Sequence, residues 1–370
     1  MKKYLSWVLV CVFLISLLPS QTAQAARGVP GSPDLGYGAW LNLSGKYFDQ
    51  GLSLLPDLNL DWVAIEVDWA EMTGTSKVTL NTSRLDLAVS AAVASNTAVM
   101  LSLTNPPEWD ITDAGPDAAA TAELIRKLWQ KYGEKITAVE LFPGANTSQG
   151  WKANPNPADY AELFLSVNAH LTQAGSSILL IAGGLRPLTS SSPGTDWNDL
   201  DFLRGLYAAG AKDWMPVLSI QFSQLTGSPL QTSSGSGTIL RHYEAIRQVM
   251  LDFDHANSLL WVTRINAPDG TIIPDDKQYT NRQHQTEWLQ QALIQVRSQL
   301  YMGVVIAHNL NPAESNHSIY GRDALVLDAG SIHPFYSVFK AIIHQTNPES
   351  GTARPGMPKS TKLLKCKYKT

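Results

Sequence analysis

Two hydrophobic rhythms alternate along this chain. Short apolar runs bounded by Gly, Pro, Asn or Asp read as buried strands. Longer stretches with apolar residues three and four positions apart read as amphipathic helices. The runs predict strands over Tyr37–Leu43, Trp62–Trp69, Thr97–Thr104, Ile136–Phe142, Ser177–Gly183, Pro216–Phe222, Leu259–Ile265 and Met302–Asn309. Helical spacing covers Asp117–Tyr132, Asn156–Ala174, Asp199–Ala209, Gly237–Asp254, Gln283–Gln299 and Pro334–His344. The second of these opens on Asn156-Pro157. That is an N-cap followed by a Pro at the first helical position, where a missing N–H costs nothing.

Strand and helix alternating in this way predict a single α/β domain, a (β/α)8 barrel over residues 36–345 with a lead-in over 26–35. A doubly wound sheet is the rival, but no Gly-rich phosphate fingerprint follows the first strand. Alternation within the strands assigns directions. Val63, Ile65 and Val67 share a face that suits the helices, so Ala64, Glu66 and Asp68 point into the barrel. The same parity sends Glu140, Phe142 and Gly144 inward, and Val262 with Arg264. A buried arginine left alone is costly, so Arg264 is expected to pair with Glu66, Glu140 or Asp68.

The two ends have a different character. Lys2 and Lys3, an apolar run from Tyr4 to Leu18, and Ala23-Gln24-Ala25 form an export-signal pattern over residues 1–25, with cleavage expected after Ala25. The run is short for a membrane span, so secretion is expected and a transmembrane anchor is not. Residues 346–370 are rich in Pro, Gly, Ser and Lys without an apolar period and read as a disordered basic tail. Such a tail is either solvated or associates with an anionic cell surface. Cleavage removes Cys11 and leaves Cys366 as the sole thiol, which excludes an intrachain disulfide and a cysteine metal site. The histidines show no ligand spacing, so no metal and no cofactor is expected. A net charge of -4, more negative once Lys2 and Lys3 are gone, excludes nucleic acid as the natural partner.

Several stretches resemble the retaining glycoside hydrolases of clan A, most nearly the family 39-like bacterial barrels. They are Trp62-Val-Ala-Ile-Glu-Val-Asp-Trp69, Leu103-Thr-Asn-Pro-Pro-Glu-Trp109, Ile136 to Asn146, Ala182-Gly-Gly-Leu185, Trp261-Val-Thr-Arg264 and Leu325-Val-Leu-Asp-Ala-Gly-Ser331. The resemblance implies two catalytic glutamates about 5–5.5 Å apart, one a proton donor and one a nucleophile. The family's Asn-Glu-Pro-Asn turn falls on Pro143-Gly144-Ala145-Asn146, and its Trp-Ile-Thr-Glu falls on Trp261-Val262-Thr263-Arg264. Gly144 thus stands at the acid/base position and Arg264 at the nucleophile position. The family's Trp on the last strand falls on His308. Glycine transfers no proton, and a guanidinium is no nucleophile. Restoring both carboxylates, Gly144→Glu with Arg264→Glu, is the route to weak activity that the sequence suggests.

The matched scaffold implies a secreted barrel that binds an oligo- or polysaccharide without cleaving it. Trp40, Trp69, Trp109 and Trp151 lie near strand ends, where aromatic faces stack on sugars. Trp62 and Trp261 read as core, and Trp69 as either; Trp109 and Trp151 are expected to be exposed loop aromatics. Asn105, Asn146, Gln221, His308 and Asn309 are the polar ligand-binding candidates. Arg264 is either an internal ion-pair member or the anchor of an acidic sugar. Two alternatives stand beside this reading. One is an active O-glycosyl hydrolase whose carboxylates have moved to Asp68 and Glu108; the other is an extracellular scaffold.

Overall fold

The computed structural model describes residues 26–32, 34–74, 79–192, 194–222, 225–232, 238–268, 278–312, 324–327 and 331–346. The expected export signal and all but the first residue of the expected tail lie outside them. Eight parallel strands close into one barrel: β1 Gly36–Leu41, β2 Trp62–Asp68, β3 Ala98–Thr104, β4 Ile136–Leu141, β5 Leu179–Leu185, β6 Val217–Gln221, β7 Leu259–Ile265 and β8 Met302–Ala307. Each pairs with its sequence neighbours and β8 closes on β1, through Gly36↔Val304 to Ala39↔Ala307. This is the (β/α)8 architecture expected from the pattern.

Outside the ring run α1 Phe48–Leu58, α2 Trp69–Thr73, α3 Ser83–Ala94, α4 Ala118–Tyr132, α5 Ser148–Trp151, α6 Pro157–Gln173, α7 Asp199–Ala208, α8 Tyr243–Asp252, α9 Gln278–Arg297 and α10 Phe335–Thr346. α6 starts as its cap requires, with the Asn156 side chain accepting from the N–H of Ala158. α1 and α3 fill connections that the pattern left unassigned. Gly51 and Pro56 speak against a helix at α1, yet burial of Phe48, Leu54, Leu55 and Leu58 outweighs them. Among the described residues, no helix is long and apolar enough to cross a membrane.

The strands separate two cores. Val63, Ile65 and Val67 join the layer between barrel and helices, while Trp62, Ala64, Met100, Ala138, Ile181 and Trp261 fill the interior. At the strand N-terminal end Trp62 and Trp261 meet edge to face, 4.9 Å apart. Their indole N–H groups donate to the carbonyls of Arg27 and Gly28, so the lead-in plugs this end. Gly28 has φ +80°, and a Cβ there would lie 2.1 Å from the Gly303 carbonyl oxygen, so only glycine fits.

Two parity expectations fail for identifiable reasons. Phe142 does not point inward: at φ +46° it leaves the extended conformation and packs its ring 6.1 Å from Trp151. Val262 also faces outward, because β7 shifts register against both neighbours. Ile220 pairs Val262 but Gln221 pairs Arg264, which leaves Thr263 as the extra residue of a bulge. Thr263 turns in, onto Glu140. β5 also runs to Leu185, two residues past its expected end. Gly183 and Gly184, at φ +102° and +51°, carry the backbone through a bulge before pairing resumes.

Candidate functional site

Glu140 is the hub of the upper barrel. It is fully buried and accepts from Ser102 Oγ at 2.8 Å, Gln221 Nε2 at 3.1 Å and Thr263 Oγ1 at 2.6 Å. No cation belongs to this set, so Glu140 is not the ion-pair partner suggested for Arg264. Desolvation pushes its carboxyl above the ordinary range, against the pull of these donors. A raised folded-state pKa means stability that is fully present below the unfolded value and is lost as pH rises through the folded one. Relative to Glu140→Gln, the wild type is therefore expected to lose unfolding free energy as pH climbs from 4 toward neutrality. Urea unfolding of both proteins across that range checks it; a difference independent of pH contradicts it.

Above this hub lie several side chains of low exposure. Trp40, Gln221, His308 and Asn309 are each less than a tenth exposed. Trp40 donates its indole N–H to the Thr263 carbonyl at 2.6 Å and lies 6.4 Å from the His308 ring. Burial, and then the charge of Arg264, hold His308 well below the usual imidazole range, so it sits there neutral. Arg264 is half-buried, and its charge also acts on Glu66. The structure thus gathers Trp40, Gln221, Arg264, His308 and Asn309 around one axis, all but Arg264 of them buried.

Gly144 lies on the opposite rim at φ +81°, and its N–H donates to the Gly184 carbonyl. The space its side chain would need belongs to Arg186: a Cβ would lie 2.8 Å from Nε and 3.1 Å from Cζ. A guanidinium therefore lies over the position matched to the proton donor. Asn146, expected in the cleft, is fully buried and structural. Its Nδ2 donates to the carbonyls of Arg186 and Trp197, and its Oδ1 accepts from the Arg186 N–H. Trp151, expected exposed, is buried between Phe142 and Tyr160, with its N–H on the Ala114 carbonyl. The aromatic that does reach solvent on this rim is Trp197, 38% exposed, in the loop after β5. A Ser/Pro/Gly-rich context hid it.

Among the described residues, a cavity opens beyond β1 and β2. Its volume is about 560 Å³, and it is lined by Asn42, Ser44, Glu66, Asp68, Glu71, Asn81 and Arg84, among others. Glu66, exposed at the end of β2, faces it and accepts from Thr104 Oγ1 at 3.1 Å. Asp68 caps α2 through the N–H of Glu71 and takes both hydrogen bonds of Asn105 Nδ2. Asn105 thus positions Asp68. Glu108, the expected partner of Asp68, is not on this wall; it lies in an exposed turn, Glu108–Asp110, after Pro107. Trp69 is buried on the outer face of the barrel, which settles its two readings in favour of core. Trp109, 37% exposed as expected, borders a separate recess of about 170 Å³ with Trp69 and Lys127. Among the described residues no three His, Cys, Asp or Glu side chains are grouped to hold a metal ion.

The fold has well-defined counterparts. A family 39 glycoside hydrolase from Bacteroides cellulosilyticus superposes with a TM-score of 0.62 at 16% identity, over 84% of this chain and 64% of that one. The chain therefore spans less than two thirds of that enzyme. The GH39 enzyme of Xanthomonas axonopodis pv. citri gives 0.61 at 14% identity, over 88% and 71%. A GH5_18 protein of Bifidobacterium longum, solved with Manβ1-4GlcNAc, gives 0.60 at 12% identity, over 88% and 81%. The barrel is thus similar in fold to clan A glycoside hydrolases. No protein-family model matches the sequence, and no curated protein matches it.

Proposed function

We propose that this protein is an exported carbohydrate-binding barrel that has lost retaining glycosidase chemistry. One observation carries the reading: both positions matched to catalytic carboxylates present guanidinium groups, Arg264 on β7 and Arg186 lying over Gly144. The retaining mechanism needs a carboxylic acid at one and a carboxylate at the other, around an oxocarbenium-like transition state. A fixed positive charge raises the energy of that state. The cavity beside β2 offers hydroxyl, amide and carboxylate groups suited to sugar hydroxyls, and a similar barrel has been solved with a disaccharide. Secretion rests on the pattern of residues 1–25.

The cavity also favours a second reading. Glu66 and Asp68 both line this accessible space, so relocated acid and base chemistry on carboxyls beside β2 is the alternative. The two readings separate on chromogenic β-xylosides and β-glucosides. Purified protein is expected to show background turnover, together with saturable, product-free binding of an oligosaccharide by calorimetry. Turnover abolished by Glu66→Gln or Asp68→Asn establishes the second reading instead.

A further inference from the structure

The short helix α2, Trp69–Thr73, separates two spaces. Glu71 and Met72 line the large cavity beside β2, whereas Trp69 and Thr73 line the recess of about 170 Å³. We propose that this recess is a second carbohydrate site, which takes one ring of a neutral polysaccharide against the indole of Trp109. It rests on the carbohydrate-binding reading and adds a place outside the large cavity.

The recess has the make-up of a sugar site. Trp69 and Leu124, both buried, give it an apolar floor. Ala120, Glu123, Leu124 and Lys127 recur at helical spacing, so α4 turns one face to it. Trp109 lines the same space. Of the four tryptophans expected near sugars it is the one that reaches solvent, 37% exposed against 5% or less for Trp40, Trp69 and Trp151. The negative face of an indole attracts the weakly positive C–H groups of a pyranose. At about 30 Å³ per liquid water the recess holds about six waters, room for one ring and not for a chain.

The polar rim suits hydroxyls better than a charged ligand. Glu123 is bound on both oxygens by Arg126, at 2.7 Å each, so its charge is compensated. Lys127 Nζ stands 3.9 Å from Glu123 Oε1. That is an ion-pair distance but too long for a hydrogen bond, which leaves the ammonium donors open to hydroxyl oxygens.

The turn that carries Trp109 is tied down on both sides. Pro107, at φ −67°, opens it, and the Asp110 N–H donates to the Pro107 carbonyl at 2.9 Å. Ile111–Thr112 then pairs with Gly115–Pro116, and the Asp117 N–H returns to the Asp110 carbonyl at 2.7 Å. Asp117 in turn caps α4 by accepting from the N–H of Ala120 at 2.7 Å. One run of hydrogen bonds thus holds the Trp109 backbone in register with the helix face opposite, so little order is lost when a ring arrives.

Depletion isotherms of the full-length protein on microcrystalline cellulose, insoluble xylan and chitin test this, beside calorimetry with the matching soluble oligosaccharides. A polymer surface lets both sites engage at once, so wild type is expected to be retained on at least one of the three. Trp109→Ala should lower the apparent affinity for that polymer about tenfold or more, and Trp109→Tyr should keep most of it. In calorimetry Trp109→Ala should stay within about twofold of wild type, because the cavity beside β2 is untouched. Thermal unfolding confirms that both variants fold. Polymer retention of a folded Trp109→Ala equal to wild type overturns the proposal and leaves the carbohydrate reading standing. So does an equal loss on polymer and oligosaccharide, which would place Trp109 in a single sugar site. Oligosaccharide binding without polymer retention in the wild type overturns it as well. Failure of every ligand to bind overturns both.

Discussion

Glu140→Ala is expected to cost about 3–5 kcal/mol of folding stability. The side chain is fully buried, and three donors from three strands, β3, β6 and β7, converge on it. Truncation opens a cavity and strands the Gln221 amide and the Ser102 and Thr263 hydroxyls together. A buried donor without an acceptor costs about 1–3 kcal/mol, and hydroxyl rotation recovers only part of that. Glu140→Gln keeps the volume and one acceptor oxygen, so at neutral pH it should stay within about 1 kcal/mol of the wild type. Urea unfolding measures both. An alanine variant within about 1 kcal/mol of wild type would show that the hub is not a stabilising centre.

The barrel was legible because its signals are local and repeated. Val63, Ile65 and Val67 announce an outer face within a few residues, and β7 keeps its expected bounds of Leu259–Ile265. What escaped depends on backbone deviations or on contacts distant in sequence. The single positive φ at Phe142 ends the alternation that would have pointed it inward. The bulge in β7 exchanges Val262 for Thr263 as the residue facing Glu140.

Trp151 was misplaced for the second reason. Its burial depends on Gly115, where any Cβ would sit 2.2 Å from the indole, and nothing near position 151 records that. The candidate site divides in the same way. Loss of a carboxylate at Gly144 is visible in one motif, whereas the guanidinium above it comes from another loop, held there through Asn146. The suggested pair of Asp68 and Glu108 is likewise not gathered in the cavity beside β2. Asp68 and Glu108 sit at the ends of adjacent strand–loop units, but Glu108 follows Pro106-Pro107 in an exposed turn while Asp68 lines the cavity with Glu66 and Glu71.

Gly144→Glu with Arg264→Glu is expected to yield no glycoside turnover above background, in contrast to the weak recovery that the sequence alone suggests. Residue 144 sits at φ +81°, where a non-glycine residue costs about 1–2 kcal/mol. The new Cβ also needs space that Arg186 Nε occupies. If Arg186 yields, its guanidinium remains beside the new carboxylate, pairs with it and depresses its pKa. A proton donor needs the opposite shift, toward neutrality. Adding Arg186→Ala to the pair removes both the obstruction and the neighbouring charge, so the triple variant is the first with a chance of turnover. Assay of the double and triple variants on chromogenic β-xylosides and β-glucosides, with thermal unfolding as the control for folding, decides the matter. Turnover in the double variant equal to that in the triple would show that Arg186 does not hinder a carboxylate placed at position 144.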